Sequence, residues 1–587
     1  MTTYAERPWV KNYDPGVPAT LKPYPEHGLH DFLRQTAQTS PHRIALMTPA
    51  KLPGLGWQTA TITYAELEHL SDALAAGFVQ MGLQKGERVA LILPNCVAFP
   101  IAYFAVLKAG GVVAATNPTY PAEKMRHQIN DSGATFVVTL SLYYDLVKQI
   151  QPSTQVKTVI VTNIKEYLPP LAKILFTLAK EKKDGHRVNQ LAAGDYWFQD
   201  VLRRYAGQKP NVQILPDDIG LFQYTGGTTG IAKAAMLSHR ALVSNLIQTL
   251  AWTAESTGAF ADLKRHELLY LGALPLFHVY GLIVMLNQSV ATGACVLLIA
   301  NPRDVNDLVG AIAHYQPSVF LGVPTLFNAV LNHPDIKSGK VSLKSFRLAC
   351  SGAAPLLPAT KHAFEALGGR RLNEAYGMSE TCAGSHNNPM TNANKDGSVG
   401  MPLPDMDMRI ISLDDGITDV PVGAIGEIVI AGPQVMTGYY GMPTETANAL
   451  REENGQRWLY TGDIGYMDED GYFYLVDRKK DMAVIGGFNV YPNNVEKVLK
   501  NHPAVLDVGV AAIPHPTKLG EEALKAWVVL RPGQTATEQE LIDHCATYLA
   551  AYEVPRRYAF IPELPKTLVG KTLRRELVQL ELAERGE

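Results

Sequence analysis

The stretch "YTGGTTGIAKAAMLSH" (Tyr224–His239) decides how the chain is read. Three glycines, three threonines and a lysine crowd a span that ends where a helix can start. Walker A spacing requires a glycine before the lysine and a hydroxyl residue after it. Here Ala232 precedes Lys233 and Ala234 follows it, so the phosphate loop of that kind is excluded. The flanks "DIGLFQY" and "AAML" are strand-like, and Ser238 is a natural N-cap for "HRALVSNLIQTLAW". The spacing therefore predicts a loop between two strands. Gly226, Gly227 and Gly230 let backbone N–H groups turn toward an anion. Thr225, Thr228 and Thr229 add hydroxyl donors, and Lys233 adds a point charge. A solvated hairpin is the bland alternative.

Outward from the loop, composition narrows the classes. The 587 residues are enough for more than one domain, and a formal net charge of −3 with no basic stripe excludes a nucleic-acid partner. Five scattered cysteines without metal-ligand spacing read as reduced thiols in a cytoplasmic protein. The N-terminus lacks the apolar segment of a signal peptide. No Asp, Glu, Lys or Arg occurs from Leu268 to Pro302. Its prolines, glycines and His278 favour strand (Leu268–Leu274), loop, helix (Leu282–Ala291) and strand (Cys295–Ile299) over a membrane span.

Helix and strand patterns alternate through the first four hundred residues. Thr63 and Glu66 form a capping box before Leu67, Leu70, Leu74 and Phe78 at helical spacing. "RVALILP", "GGVVAAT" and "ATFVVTL" read as buried strands, with helices at Val97–Leu107 and Pro121–Asp131 between them. Such alternation predicts parallel sheets covered by helices. In Glu166–Arg187, Leu171, Ile174, Leu175 and Leu178 share one face and lysines follow. This is either a helix packed on the core or one resting on a membrane surface. From Asp405 short strands and turns take over. After "VDRKKD" (Val476–Asp481) a smaller unit begins with its own helices and strands. The fold expected is α/β: a large N-terminal domain of parallel-type sheets covered by helices with a small β subdomain, then a mobile small α+β C-terminal domain. The division falls at 1–478 and 479–587.

Further stretches carry chemistry in order along the chain: "LPLFHVYGL" around His278, "SGAAPL" (Ser351–Leu356), "NEAYGMSET" (Asn373–Thr381), "YTGDIGYMDEDGYFYLVDRKKD" (Tyr460–Asp481), "VIGGFNVYP" (Val484–Pro492) and "LPKTLVGKTLRREL" (Leu564–Leu577). Taken singly, each has an ordinary structural reading. His278 could be a core histidine, Glu380 a surface acid, Asp463 and Arg478 a structural ion pair, and "GKTLRR" a basic patch.

Together with "YTGGTTGIAK", these stretches resemble the adenylate-forming superfamily over essentially the whole chain, with most likeness to bacterial long-chain fatty acyl-CoA synthetases. The resemblance implies that Thr225, Gly226, Gly227, Thr228, Thr229, Gly230 and Lys233 fold over the phosphates of ATP. It places Gly352, Ala353, Glu374, Ala375, Tyr376, Gly377 and Ser379 at the adenine, with Tyr376 able to stack on it. It assigns Mg²⁺ to Glu380 and Thr225, the ribose diol to Asp463, and ribose and phosphate to Arg478. Lys480 becomes the hinge, Gly486, Gly487 and Phe488 line a coenzyme A channel, and His278 lines the acyl pocket. Lys571 is the catalytic lysine, acting with His278 and Lys233. Relatives usually carry Gly where this chain has Ala234.

The implied activity is ATP-dependent ligation of a long-chain fatty acid to coenzyme A through acyl-AMP. An uncharged pocket equally admits medium-chain or aryl acids, and a carrier protein could supply the thiol. A non-catalytic fatty-acid-binding or uptake module of the same fold is the alternative from another class. Lys233, Glu380, Asp463 and Lys571 all being present speaks against it. A homodimer and a peripheral contact of residues 166–187 with the inner face of a membrane both stay open.

Overall fold

A computed structural model describes residues 3–52, 54–225, 232–253, 264–485, 488–515, 522–567 and 570–585. Two large sheets organise the first four hundred residues. In one, the strands Ile219–Tyr224, Val112–Ala115, Arg88–Ile92, Phe136–Leu140, Thr158–Thr162 and Tyr196–Trp197 lie side by side, every pair parallel. Ala234–Ser238 and then Gly438–Tyr439 extend its far edge antiparallel. In the other, Leu372–Tyr376, Leu348–Ser351, Val319–Gly322, Leu269–Gly272, Cys295–Leu298 and Ile44–Leu52 run parallel, with antiparallel strands at both edges.

The sequence accounts for this arrangement. Strands such as Phe136–Leu140 are buried at every position and apolar but for Thr139, because helices cover both faces. The helix Ala98–Lys108 is buried along its whole length and carries one charge, Lys108, fully enclosed by Glu68, Asp72 and Ser71. The capping box at Thr63 and Glu66 is formed, with Thr63 N–H donating to Glu66 Oε2 at 2.7 Å.

A five-stranded antiparallel sheet follows. Its strands Gln456–Met467 and Phe473–Arg478 pair across the turn at Asp468–Gly471. The last hundred residues build a separate core. Val490, Val495, Leu499, Val508, Val528 and Leu541 pack between the strands Val505–Pro514, Glu522–Leu530 and Arg557–Phe560 and the helices Pro492–Lys500 and Glu538–Tyr548.

One expectation changes, and one choice left open is narrowed. The helix expected at Leu282–Ala291 is a π-helix, Tyr280–Asn287, continued by an α-helix at Gln288–Thr292. Such wide turns are rare and concentrate near functional sites. The apolar side of the helix Pro170–Ala179 does not pack on the core: Leu171, Ile174, Leu175 and Leu178 are exposed.

Candidate functional site

The glycine and threonine loop joins two antiparallel strands, as its flanks predict. Thr225 N–H donates to Lys233 C=O at 2.9 Å and closes its base. Ser238 caps the next helix by accepting from Ala241 N–H at 3.2 Å. Gly226, Gly227, Thr228, Thr229 and Gly230 lie outside the described residues, as do Gly486 and Gly487. The methyl of Ala234 is buried against Val112 and Phe222, so the loop's exit strand is packed by the side chain that replaces the usual Gly.

Register builds the wall of the candidate site that is expected to meet the ribose. Asp463 and Arg478 stand opposite one another in the antiparallel pair, and Arg478 Nε donates to Asp463 Oδ1 at 3.0 Å. Tyr376, at the end of a strand in the other sheet, donates its hydroxyl to Asp463 Oδ2 at 2.5 Å. Both carboxylate oxygens are thus engaged, and each retains a lone pair toward a ligand. The ion pair that charge alone suggests does form, inside the site. The Tyr376 ring is buried beside His386, 5.4 Å between centroids.

Strain accumulates in the turn that follows. A Cβ on Gly377 would lie 1.4 Å from the Ala383 carbonyl oxygen, so no side chain fits there. Cys382 and Ala383 both take positive φ, as does Ala353 after Gly352. L-residues adopt that conformation at a cost of about 1–3 kcal/mol each. Glu374 accepts from Leu356 N–H at 2.9 Å, and burial pushes its carboxyl up to about 8. Ala375 pairs with Asn387, and Ser379 opens a short 3₁₀ turn to Thr381.

Glu380 is buried, which raises its carboxyl above the usual range. One oxygen accepts from Tyr439 Oη at 2.7 Å, and Arg478 and Asp463 are near enough to act on its charge. Among the described residues no other side chain takes the second oxygen, which leaves it able to meet a cation. Mg²⁺ bound through phosphates needs few protein oxygens, so Glu380 with the Thr225 hydroxyl fits such an ion. Lys233 lies over the Tyr439 ring, 5.2 Å from its centroid, and pairs with Glu445.

Lys571 enters from the last unit. Gly570, at φ 77°, presses its loop on the first turn of the helix Pro324–Asn332; a Cβ there would meet Thr325 Oγ1 at 2.7 Å. Burial first, then the nearby Arg478 guanidinium, depress the Lys571 ammonium to about 7, while Asp463 acts in the opposite sense. Lys571 therefore shares the site with Asp463 and Arg478, although 93 residues separate it from Arg478.

The structure does not bring every candidate there. His278 is held to the strand before the loop, because Gln223 Nε2 donates to Phe277 C=O at 3.3 Å. Its Nδ1 accepts from Tyr280 N–H at 3.3 Å, and burial lowers the imidazole to about 4. Phe488 is exposed on the last unit, stacked on Tyr552 at 4.5 Å between centroids. Lys480, exposed in the turn after Arg478, does come near: its charge acts on Lys571, and Asp463 and Lys233 act on it.

Sequence reasoning missed Tyr439, on a strand added to the sheet edge, and Glu445, in the first turn of the helix that follows, with no spacing to mark either. It also missed Arg574. That guanidinium reaches Asp481 at 3.1 Å, Glu496 at 2.7 Å and Val510 C=O at 2.9 Å, and so anchors the segment beyond Lys571. Arginine three residues after the candidate lysine was the available signal.

Comparisons with known proteins identify the family. A family model described as AMP-binding enzyme matches residues 33–440, and one described as AMP-binding enzyme C-terminal domain matches residues 494–571. A long-chain-fatty-acid–CoA ligase of Bacillus subtilis (strain 168) is 37% identical over 585 residues, covering 98% of both chains. One from Yersinia pestis is 37% identical over 581 residues, 97% of this chain and 98% of the other. The crystal structure of ATP-bound MatB from Rhodopseudomonas palustris superposes with a TM-score of 0.78 at 27% identity, over 94% of this chain and 99% of that one. The chain belongs to the AMP-binding enzyme family.

Proposed function

We propose that the protein is a long-chain-fatty-acid–CoA ligase that works through an acyl-adenylate. One observation in the structure carries the reading. Lys571, from the far end of the chain, is pressed into the field of the Asp463 and Arg478 pair.

In the first half-reaction the fatty acid carboxylate attacks the α-phosphorus of ATP, the bond to the β-phosphate oxygen breaks, and pyrophosphate leaves. Two anions must meet, so cations aimed at the developing charge do the catalytic work. Lys571 stands between carboxylate and α-phosphate, and Lys233 leaves Glu445 for the outer phosphates. Glu380 and Thr225 would hold Mg²⁺, which would supply neutralisation of phosphate charge. Asp463 accepts the ribose hydroxyls with its remaining lone pairs, and Arg478 fixes its orientation. The turns at Gly352–Ala353 and Glu374–Ser379 present backbone to the purine.

In the second half-reaction the coenzyme A thiol, losing its proton, attacks the acyl carbonyl and AMP departs. The division of the chain at residues 478 and 479 serves this step. The last unit turns about Lys480, withdraws Lys571 and brings the loop of Gly486, Gly487 and Phe488 to the thiol's path. Motions of this kind gate many two-step enzymes. The uncharged surroundings of His278 suit an alkyl chain, worth about 0.8 kcal/mol per buried CH₂.

Among the described residues no helix is long and apolar enough to cross a membrane. A peripheral contact through residues 166–187 belongs to the same proposal, and a homodimer is the competing use of that surface. The decisive test offers acids from short to long chain, and aryl acids, with ATP and coenzyme A, and reads AMP and thioester together. Long-chain acids should give both products in equal amounts. AMP without thioester, relieved by a holo-carrier protein, would reassign the acceptor; no AMP with any acid would end the reading.

A further inference from the structure

The helix Pro170–Ala179 turns its most apolar side to solvent. Leu171 is 43% exposed, Ile174 56%, Leu175 41% and Leu178 80%. These four recur at the spacing of one helical face. The other side does the packing: Ala172 is buried, and the Phe176 ring lies edge-on to His186 at 5.3 Å. Just beyond, Lys180, Lys182, Lys183 and Arg187 are exposed and make no ion pair among the described residues. Two of the three acids of the segment are already neutralised at home. Glu166 takes Lys173 at 2.7 Å, and Glu181 takes Lys165 at 2.6 Å. Among the described residues only Asp184 of the three faces solvent without an ion pair. The surface is an apolar ridge beside unmatched positive charge.

Its place in the fold matters. The strands Thr158–Thr162 and Ile219–Tyr224 run the same way in one sheet, so both end at the same edge. From the first leaves the segment that carries this helix; from the second leaves the glycine and threonine loop. Apolar packing is continuous between them. Ile164 and Tyr167 rest on the core that contains Cys96, Leu276 and Val279, and Asn95 fastens that region by donating to Leu274 C=O at 2.8 Å and accepting from Leu276 N–H at 2.9 Å.

We infer that residues 170–187 dock on an anionic lipid bilayer, with the four apolar side chains among the acyl chains and Lys180, Lys182, Lys183 and Arg187 against the headgroups. An amphipathic helix with this division of surface lies in the plane of such an interface. Charge decides against a second copy of the chain. A two-fold pairing sets the same patch against itself, and its cations would find almost no free acids there. The inference rests on the fatty-acid reading only for its purpose, which is to collect a lipid-dissolved acid at the edge where the site opens.

The test is co-sedimentation of the full chain with vesicles of phosphatidylcholine alone or mixed with phosphatidylglycerol, alongside sedimentation velocity without lipid. The full chain should bind the anionic vesicles and lose that binding in high salt. The double variant Ile174→Ser, Leu178→Ser should bind at least about tenfold more weakly. The triple variant Lys180→Gln, Lys182→Gln, Lys183→Gln should lose the preference for phosphatidylglycerol. Both variants should ligate an acid supplied below its solubility limit at the unaltered rate, and slow only with vesicle-borne acid. No binding by the unaltered chain, or equal binding to both vesicles, would overturn the inference. So would a dimer that the serine variant dissolves. Anionic binding without any ligase activity would leave the inference standing and remove the functional reading instead.

Discussion

Asp463 and Lys571 face the same site but are held in opposite ways. Asp463 is satisfied before any ligand arrives: Arg478 holds one oxygen, Tyr376 the other, and three strands from two sheets fix the trio. The Lys571 ammonium has no hydrogen bond or ion pair among the described residues. Only its backbone is tied, with Lys571 N–H donating to Thr567 Oγ1 at 3.1 Å and Thr567 N–H donating to Lys571 C=O at 2.8 Å. Arg478 and Lys480 repel it and burial disfavours its charge. A pre-satisfied group selects a ligand by shape, whereas an unsatisfied cation waits for a polyanion to complete it. The fixed wall suits recognition of the nucleotide, and the strained one suits charge that appears only in the transition state.

The sharpest way to break this comparison is to remove the waiting cation. Lys571→Ala should slow adenylation about 10²–10³-fold, the usual loss for a preorganised charge. Thioester formation from supplied acyl-AMP should survive, because that step does not use the ammonium. Pyrophosphate exchange at the unaltered rate would place the catalytic charge elsewhere.

Removing the fixed wall should cost less and read differently. Asp463→Asn removes a charge-assisted bond and leaves Arg478 unpaired; bonds to charged groups contribute about 1.5–3 kcal/mol, or roughly ten- to a hundredfold. The KM for ATP should rise by that factor, and discrimination against 2′,3′-dideoxy-ATP should disappear. A loss confined to kcat would mean that Asp463 acts on the reacting atoms instead. Tyr376→Phe, which leaves the carboxylate charged, should move the same quantities by only a few fold.

The contrast was partly legible in the sequence. Asp463 and Arg478 lie on two strands joined by "DEDGY", so their pairing follows from hairpin register. Lys571 rested on resemblance, because no local pattern joins a C-terminal loop to a strand so far upstream. Tyr439 and Glu445 were not legible, since the strand Gly438–Tyr439 reaches the loop's exit strand only by non-local pairing. The π-helix at Tyr280–Asn287 was hidden for another reason: its residues are apolar on all sides, and burial on all sides erases the period that separates one helix type from another. At Pro170–Ala179 the period was clear, yet a period names the apolar face without naming what covers it.

Acidity gives a finer probe of the Lys571 wall. Its ammonium is the active form, and depression to about 7 means that the free enzyme loses this proton as pH rises through neutrality. The rate constant kcat/KM for ATP in adenylation should therefore fall above about pH 7. The kcat profile should break at higher pH, because bound phosphates favour the charged form. Lys571→Arg should abolish the fall, since a guanidinium stays charged throughout. A break that persists in the arginine variant would belong to another group.

The smallest effect separates Lys233 from both walls. Its ammonium is paired with Glu445 in the structure, so ATP must take it from a partner already in place. That partner's side chain is 44% exposed, and a pair so open to water contributes about 0–1 kcal/mol. Glu445→Gln should therefore lower the KM for ATP, by no more than about fivefold, with kcat unchanged. In a Lys233→Ala background the same substitution should do nothing, because the cycle isolates the pair. A drop in KM that persists without Lys233 would show that Glu445 repels the phosphates directly. The loop would then meet ATP with its lysine uncommitted, as Lys571 does, and the contrast between a satisfied wall and a waiting one would run through Asp463 alone.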